Sequence, residues 1–335
     1  MEMMKAAAIA AAGLLAIAAI GTTIVVPVIT TAAIPAGLSG TLTIAGSTTI
    51  LPINEECARL LRDANPDLRI SVSGGGSGHG VKAVGAGEID IGAASRDVKA
   101  EEMALYPDLK LVAIGKDSVA IVVHPSNSVA DLTMEQASKI FSGEITNWKE
   151  VGGADAAIRV ITREEGSGTR ETFEMYVMQP YTREIAGPAS VKSSNGEVRA
   201  TVSSDASSIG YLSLGYIDDT VKALSIGGVE ATVENVRSGA YPITRNLYLI
   251  TNGEPSELEK AFIEFVLSSE GQKVVEDMGY LQLGEVVTPT LTPAPTMTPK
   301  PTATPTPEQP GFEAMCAIAG LLAMALLVQR SRMKR

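Results

Sequence analysis

The chain reads LTIAGSTTILP over residues 42–52, and this stretch decides how the rest of the sequence is interpreted. Leu42–Ala45 has the pattern of a strand, and a helix is predicted from Pro52 to Ala64, since proline is favourable in a first helical turn. Between them lie a glycine and three small hydroxyl residues. The first N–H groups of a helix are unpaired and carry about half a positive charge, so this junction favours an anion.

Two more segments place glycines and hydroxyl residues in front of a predicted helix. Residues 74–78 read GGGSG after the predicted strand Arg69–Ser73, and residues 166–169 read GSGT after the predicted strand Ile158–Thr162. One such segment alone is usually a turn. Because ligands of α/β sheets bind at the carboxyl ends of the strands, three of them together predict one shared anion pocket.

Arg163 is the candidate cation of this pocket. It follows a predicted buried strand and precedes the third glycine segment. A guanidinium offers coplanar donors that suit a tetrahedral oxyanion. The run Arg163–Glu165 is also typical of a surface charge cluster, and its position at a strand end favours the pocket.

The remaining pattern predicts an α/β fold. Two further strands are expected at Leu109–Gly115 and Ser118–His124, and a last helix is expected at Glu257–Met278. Units of strand, loop and helix in succession are typical of α/β proteins with mixed, mostly parallel sheets and helices on both faces.

The charge and the cysteine content exclude several classes of function. The 335 residues carry a formal net charge of -11, which argues against a nucleic-acid-binding protein. The two cysteines, Cys57 and Cys316, lie in a predicted helix of the body and in the apolar tail, so no disulfide framework is expected. The sequence has no Cys/His cluster for a metal, and no cofactor is expected.

Both ends of the chain have features of an exported, anchored protein. Residues 1–39 hold a long apolar run typical of a signal peptide or signal anchor. Residues 286–310 are rich in Thr and Pro, which predicts an extended linker. Pro310, Gly311 and Phe312 form a Pro-Gly-Phe tripeptide. The rest of residues 311–335 is an apolar stretch followed by basic residues. This tail resembles the archaeal PGF-type sorting signal; a plain membrane anchor is the alternative, and both place the body outside the cell.

The body, from about residue 40 to 283, resembles the phosphate-binding proteins of phosphate ABC importers. The resemblance rests on six segments, which are residues 45–52, 76–78, 90–96, 140–148, 163–169 and 209–211. It implies a two-lobed periplasmic-binding-protein fold of type II with hinge strands between the lobes. Lobe one would hold residues 41–118 and 241–285, lobe two would hold residues 119–240, and a hinge motion would close them around the ligand.

The resemblance also implies the ligand contacts. The residues carried over as phosphate contacts are Thr48, Thr49, Ser77, Arg163, Ser167, Gly168 and Thr169. Glu165 takes the place of an acid that pairs with the arginine. Some members have an aspartate that accepts the proton of hydrogen phosphate and repels sulfate. Ser95 falls nearest to that position, with Glu164 and Asp97 as other candidate acceptors, so phosphate is less firmly distinguished from sulfate.

Four functions remain open on the sequence. The first is a monomeric receptor that binds inorganic phosphate and hands it to the permease subunits of an ABC importer. The second is a receptor for sulfate, molybdate or another oxyanion. A phosphate sensor without a transporter is the third. A surface hydrolase is the fourth and is disfavoured, because the sequence lacks a G-x-S-x-G elbow, a two-metal ligand set and a Walker A motif.

Overall fold

The computed structural model describes residues 34–284. Within these residues the strands are β1 (Gly40–Gly46), β2 (Leu68–Gly75), β3 (Ile91–Ala94), β4 (Leu109–Val123), β5 (Asp131–Leu132), β6 (Arg159–Arg163), β7 (Ser190–Lys192), β8 (Ser208–Ser213), β9 (Lys222–Ala223), β10 (Ser225–Ile226) and β11 (Thr244–Asn252). The α-helices of the same range are α1 (Leu51–Ala64), α2 (Ser77–Gly85), α3 (Ala100–Leu105), α4 (Met134–Ser142), α5 (Gly168–Phe173), α6 (Asn195–Ser204), α7 (Val233–Arg237), α8 (Glu257–Leu267) and α9 (Ser269–Asp277).

One large mixed sheet organises the described part of the chain. Its strands follow the order β2-β1-β3-β11-β4-β8-β6-β7, with β9 paired to β4. β1 pairs in parallel with β2 and β3, and β6 pairs in parallel with β7 and β8. β11 and β4 run antiparallel to their neighbours between these two groups. The predicted α/β class with mixed sheets is confirmed.

β4 is one strand, whereas the sequence predicted two strands separated near Lys116. Its residues 109–118 pair with β11, and its residues 119–123 pair with β8. The pairing with β11 runs without interruption through the expected break, from Gly115 opposite Leu247 to Ser118 opposite Thr244. Because β4 belongs to both halves of the sheet, it carries the chain from one half to the other.

The buried apolar side chains form two large clusters. One lies between residues 42 and 114 and between residues 247 and 280. The other lies between residues 119 and 243, with Leu281. Burial of apolar area is the main stabilising contribution to folding, so each half of the sheet has its own core.

The last predicted helix is interrupted at Ser268. The Ser268 hydroxyl accepts the Gly271 N–H at 3.3 Å and begins α9 directly after α8. A Cβ on Gly271 would lie 2.2 Å from the carbonyl oxygen of Phe265, so the two helices meet too closely for a larger residue. The sequence pattern did not show this break, because a serine within an apolar period is compatible with a continuing helix.

The predicted terminal segments lie mostly outside the described residues. Within residues 34–284, no helix is long and apolar enough to cross a bilayer. Residues 34–39, the end of the predicted signal segment, contact the body: the Leu38 N–H donates to Asn65 Oδ1 at 2.8 Å, and Asn65 Nδ2 donates to the carbonyl oxygen of Pro35 at 2.8 Å.

We expect Phe173→Ala to lower the free energy of unfolding by about 3–5 kcal/mol, because the side chain is fully buried. Its ring stacks on Tyr211 with centroids 4.0 Å apart and lies 4.5 Å from the ring of Phe141. Urea unfolding measures the loss. Val191→Ala, at a 57% exposed position, is the control and should change the value by less than about 0.5 kcal/mol. A loss below about 1 kcal/mol for Phe173→Ala would contradict this packing.

Candidate anion-binding site

The first loop joins β1 to α1 and carries Thr48 and Thr49. Gly46 has a φ of +136°, and a Cβ there would lie 2.3 Å from the carbonyl oxygen of Ala93. Only glycine therefore lets β1 turn this close to β3. The Ser47 N–H donates to the same carbonyl at 2.8 Å. Both threonines are buried in the turn just before α1.

The second and third loops contact each other directly. Ser77 is fully buried and opens α2. The Gly78 N–H donates to the carbonyl oxygen of Gly166 at 2.9 Å. A Cβ on Gly168, the first residue of α5, would lie 2.3 Å from Ser77 Oγ and 2.8 Å from Ser95 Oγ. Glycine therefore lets the third loop approach the other hydroxyl residues.

Arg163 ends β6 and is buried, with 1% of its surface exposed. Its Nε donates to Glu164 Oε2 at 2.9 Å, and its Nη2 donates to Glu164 Oε1 at 2.8 Å. Nη2 also donates to Thr48 Oγ1 at 3.2 Å. Nη1 is buried and has no hydrogen-bond partner among the described residues. A buried donor without an acceptor is costly, which points to an acceptor supplied by a ligand.

The acid that pairs with Arg163 is Glu164, so the assignment of this role to Glu165 was wrong. Glu165 is exposed, whereas both carboxylate oxygens of Glu164 face the guanidinium. The turn at Gly166, with a φ of +79°, follows this pair. Sequence spacing alone could not decide which of two adjacent carboxylates turns inward.

The hydroxyl residues form two groups. Ser47 Oγ donates to Ser95 Oγ at 2.9 Å, and Ser95 Oγ lies 3.4 Å from Ser77 Oγ. On the other side, Thr49 Oγ1 lies 3.3 Å from Thr169 Oγ1. Ser167 is buried and caps α5 by accepting the Arg170 N–H at 3.3 Å, which completes the third loop.

The structure thus brings the predicted contact residues into one buried region. These residues are Thr48, Thr49, Ser77, Ser95, Arg163, Ser167, Gly168 and Thr169. The region offers hydroxyl groups, backbone amides and one guanidinium, which together can surround a small oxyanion. Within residues 34–284, no cluster of three His, Cys, Asp or Glu side chains is placed to hold a metal ion.

Sequence reasoning missed two buried charged residues beside the hydroxyl groups, Asp117 and Arg245. They form an ion pair of 2.6 Å between β4 and β11. Asp117 lies between the two strands that the sequence predicted, in a position where a charged residue is expected to be exposed. Nothing in the sequence linked it to an arginine so far away. Asn195 is also buried here, and its Nδ2 donates to Thr48 Oγ1 at 3.3 Å.

A second ion cluster lies beside the loops. Arg96 donates to both carboxylate oxygens of Glu102 at 2.8 Å. Its Nε lies 2.8 Å from Glu171 Oε2 on α5, and Lys99 Nζ lies 3.1 Å from the same oxygen. Burial acts to lower the pKa of Arg96, but the bonds to Glu102 and the charge of Glu171 raise it above its ordinary value. The cluster therefore joins the segment after β3 to the helix that carries the third loop.

This architecture, with two cores, two strands passing between them and a buried polar region, defines a class of protein that binds a small ligand between two halves. A family model described as the PBP superfamily domain matches residues 31–270. The phosphate-binding protein PstS of Bacillus subtilis (strain 168) is 37% identical over 254 residues, covering 74% of this chain and 82% of that protein. PstS of Borreliella burgdorferi is 31% identical over 250 residues, covering 72% and 89%.

Solved structures agree with the sequence relatives. A substrate-binding protein assigned to a phosphate ABC transporter of Clostridium perfringens, with bound phosphate, is 38% identical and has a TM-score of 0.69; the match covers 72% of this chain and 99% of that one. An ABC-type phosphate transport receptor from Vibrio cholerae is 31% identical with a TM-score of 0.60, covering 72% and 99%. The chain belongs to the PBP superfamily and, within it, to the family of the phosphate-binding protein PstS.

The comparisons confirm the resemblance and the fold class that the sequence predicted. A further match, to the PGF-CTERM motif, covers residues 309–330 and confirms the predicted C-terminal sorting signal. That segment lies outside the described residues.

Proposed function

We propose that this protein captures inorganic phosphate outside the cell and delivers it to an ABC importer. The observation that carries the proposal is Nη1 of Arg163, a buried donor without a partner among residues 34–284. An oxyanion beside Thr48 would supply the missing acceptor. The relatives are named as phosphate-binding proteins, and the C. perfringens structure holds phosphate, which supports phosphate as the anion.

The proposed contacts come from all three loops. Thr48 and Thr49 act from the first loop, and Ser77 acts from the second. The third loop contributes Ser167, Gly168 and Thr169, while Ser95 follows β3 and Arg163 ends β6. Because Glu164 neutralises Arg163 and Asp117 neutralises Arg245, the anion is held by directed hydrogen bonds rather than by an excess of positive charge.

We propose that two lobes close on the ligand by a hinge motion, with lobe one formed by residues 41–118 and 241–285 and lobe two by residues 119–240. The two apolar cores support this division, except that Tyr241, Ile243 and Leu281 pack in the core formed by residues 119–240. β4 and β11 cross between the lobes and are the proposed hinge. Contacts that join the two parts, such as the bond from Gly78 to Gly166, would form on closure.

The location follows from the ends of the chain. We propose that the protein is exported, anchored at the outer face of the membrane through its C-terminal segment or a lipid, and works as a monomer with permease subunits of an importer. The PGF-CTERM match supports the anchor. We also propose that it is a binding protein and not an enzyme, as the names of its relatives support.

Ser95 favours a second candidate ligand class. A serine hydroxyl does not repel a fully ionised oxyanion as a carboxylate would, so sulfate or molybdate could also be bound. Of the other two candidate acceptors, Glu164 is engaged by Arg163, and Asp97 is exposed and accepts the Tyr248 hydroxyl at 2.9 Å. Phosphate and sulfate therefore have to be compared by direct binding.

Calorimetric titration of the full chain tests the function. The expected result is one phosphate per chain with micromolar or tighter affinity, little displaced by sulfate or molybdate, and no release of phosphate from an aryl phosphate. Binding of sulfate or molybdate without phosphate binding would replace the ligand while the pocket stays. Hydrolysis that is lost in Ser77→Ala would overturn the binding-protein assignment.

We expect Glu171→Gln to weaken phosphate binding by about 10-fold, mainly through faster release, because the ion pair with Arg96 holds α5 against the other half. Stopped-flow measurement of phosphate dissociation checks this. Glu174→Gln is the matched control, since Glu174 pairs with Arg170 on the same helical segment, and it should leave the release rate unchanged. An unchanged rate in Glu171→Gln would contradict a role for this ion pair in closure.

A further inference from the structure

Arg245 and Asp117 form a buried pair between the two strands that pass from one half to the other. They are direct cross-strand partners in the register of β11 and β4. Arg245 Nε and Nη2 donate to Asp117 Oδ2 at 2.8 and 2.6 Å. Asp117 Oδ1 accepts the Leu214 N–H at 3.2 Å, so this carboxylate is held on both oxygens. The guanidinium is thereby fixed in one orientation.

The outer nitrogens of this guanidinium reach a hydroxyl group from each half of the site. Nη2 donates to Thr49 Oγ1 at 3.0 Å, and Nη1 donates to Thr169 Oγ1 at 3.1 Å. Thr49 lies in the first loop, and Thr169 is the second residue of α5. One arginine on β11 therefore contacts the loop of one half and the helix of the other.

These contacts fix the direction of the hydroxyl hydrogens. A guanidinium can only donate, so Thr49 and Thr169 both accept from Arg245. Asn195 Oδ1 accepts the Ser213 N–H at 3.1 Å, which orients its Nδ2 toward Thr49 Oγ1, 3.1 Å away. With both lone pairs engaged, Thr49 donates to Thr169 or to a ligand. If it donates to Thr169, the Thr169 hydrogen is left for the ligand.

The same reasoning applies to Thr48. Its Oγ1 accepts from Arg163 Nη2 at 3.2 Å and from Asn195 Nδ2 at 3.3 Å, so its hydrogen also points elsewhere. The serine group differs, because either Ser77 or Ser95 can be the donor of their shared contact. The threonine side of the site thus presents hydrogens, and the serine side can donate or accept.

We propose that Arg245, held by Asp117, is a positioning residue that commits the threonine hydroxyls to donate and so makes the site prefer the more ionised form of phosphate. This proposal rests on the proposed function. In this arrangement the phosphate oxygens that carry no hydrogen accept hydrogen bonds from the threonine hydroxyls. The one protonated oxygen of hydrogen phosphate lies at Ser77 and Ser95, whose hydroxyls can accept from it. Without Arg245 the hydroxyls of Thr49 and Thr169 can turn and accept from a protonated phosphate oxygen.

The charged and titratable groups near these threonines are few. On the site side they are Arg163 with Glu164, the Arg245–Asp117 pair and the hydroxyl groups of Tyr216 and Tyr280. Burial raises the pKa of Tyr216 to about 12 and raises that of Tyr280 well above its ordinary value, so both stay neutral at the pH values used below. The cleft that Arg245 lines also holds the charged side chains of Arg96, Asp97, Lys99, Lys116, Glu171 and Glu174.

The test compares phosphate affinity at about pH 5.5 and about pH 8, where phosphate carries about one and about two charges. The full chain is compared with the double variant D117N/R245M, which removes both charges together and leaves no unpaired charge buried. The expected loss is about 30-fold at the higher pH and about 3-fold at the lower pH. K116M is the control, because it removes a cation that lines the same cleft. The ratio of its phosphate affinities at the two pH values should equal that of the unchanged chain.

The possible results distinguish a failure of the positioning role of Arg245 from a failure of the proposed phosphate binding. Equal losses at both pH values would mean that the pair only supports the fold, and would overturn the positioning role while phosphate binding stands. If the unchanged chain binds no phosphate at either pH, the proposed function fails instead. Should D117N/R245M not fold, R245K carries the same comparison: it keeps the charge beside Asp117 but cannot reproduce the fixed fork, so the pH preference should fall partly, and an unchanged preference would overturn the proposal.

Discussion

Arg163→Ala is expected to lower the phosphate affinity of the full chain by about 1000-fold. The side chain offers Nη1, which has no hydrogen-bond partner among residues 34–284, and its Nη2 donates to Thr48. Removal of the side chain therefore deletes at least two charge-assisted bonds worth roughly 1.5–3 kcal/mol each. It also leaves the Glu164 carboxylate unpaired beside the anion. Calorimetric titration of the variant measures the loss.

The matched control is Arg159→Ala, at the other end of the same strand. The Arg159 side chain is 74% exposed and pairs with Asp205 at 3.4 Å, away from the three loops. Its loss removes the same charge from the protein but should leave phosphate affinity within about 2-fold, since exposed pairs contribute little. If Arg163→Ala binds phosphate as well as Arg159→Ala does, the site assignment is wrong.

Gly168→Ala is expected to lower phosphate affinity by about 100-fold without loss of stability. The added methyl group would lie 2.3 Å from Ser77 Oγ and 2.8 Å from Ser95 Oγ, so the third loop could no longer approach them. Alanine is otherwise acceptable at the start of a helix, and the clash arises only where the loops meet. The measurement is calorimetric titration together with urea unfolding.

Gly187→Ala provides the control for this substitution. Gly187 is exposed, and a Cβ there would meet nothing within 4 Å. Phosphate binding should therefore be unchanged. Wild-type affinity in Gly168→Ala would show that the three loops need not meet when the ligand is bound.

Much of the fold could be predicted because local patterns agree with the tertiary structure. The strand, glycine and helix sequence at residues 42–52 is found as β1, loop and α1. The predictions failed where distant partners decide the outcome. β4 continues past Lys116 because β11 pairs with it, and the Ser268 break depends on the close packing of Gly271 on Phe265.

The residues of the site also fall into those that local sequence could predict and those that it could not. Thr48, Ser77 and Thr169 each stand in a loop whose composition signals its role, so the sequence could nominate them. Arg245 and Asp117 carry no such signal, because their pairing exists only across the register of two strands that are far apart in sequence. The choice between Glu164 and Glu165 depended on which carboxylate the turn directs inward, and this is a matter of backbone geometry rather than of spacing.

A crystal structure of the full chain grown with phosphate tests whether Arg163 and the three loops form the anion site. We expect one tetrahedral anion in contact with Arg163 Nη1, with the hydroxyl groups of Thr48 and Thr169, and with Ser77 or Ser95. An anion bound elsewhere, without contact to Arg163 and the three loops, would show that this region is not the phosphate site.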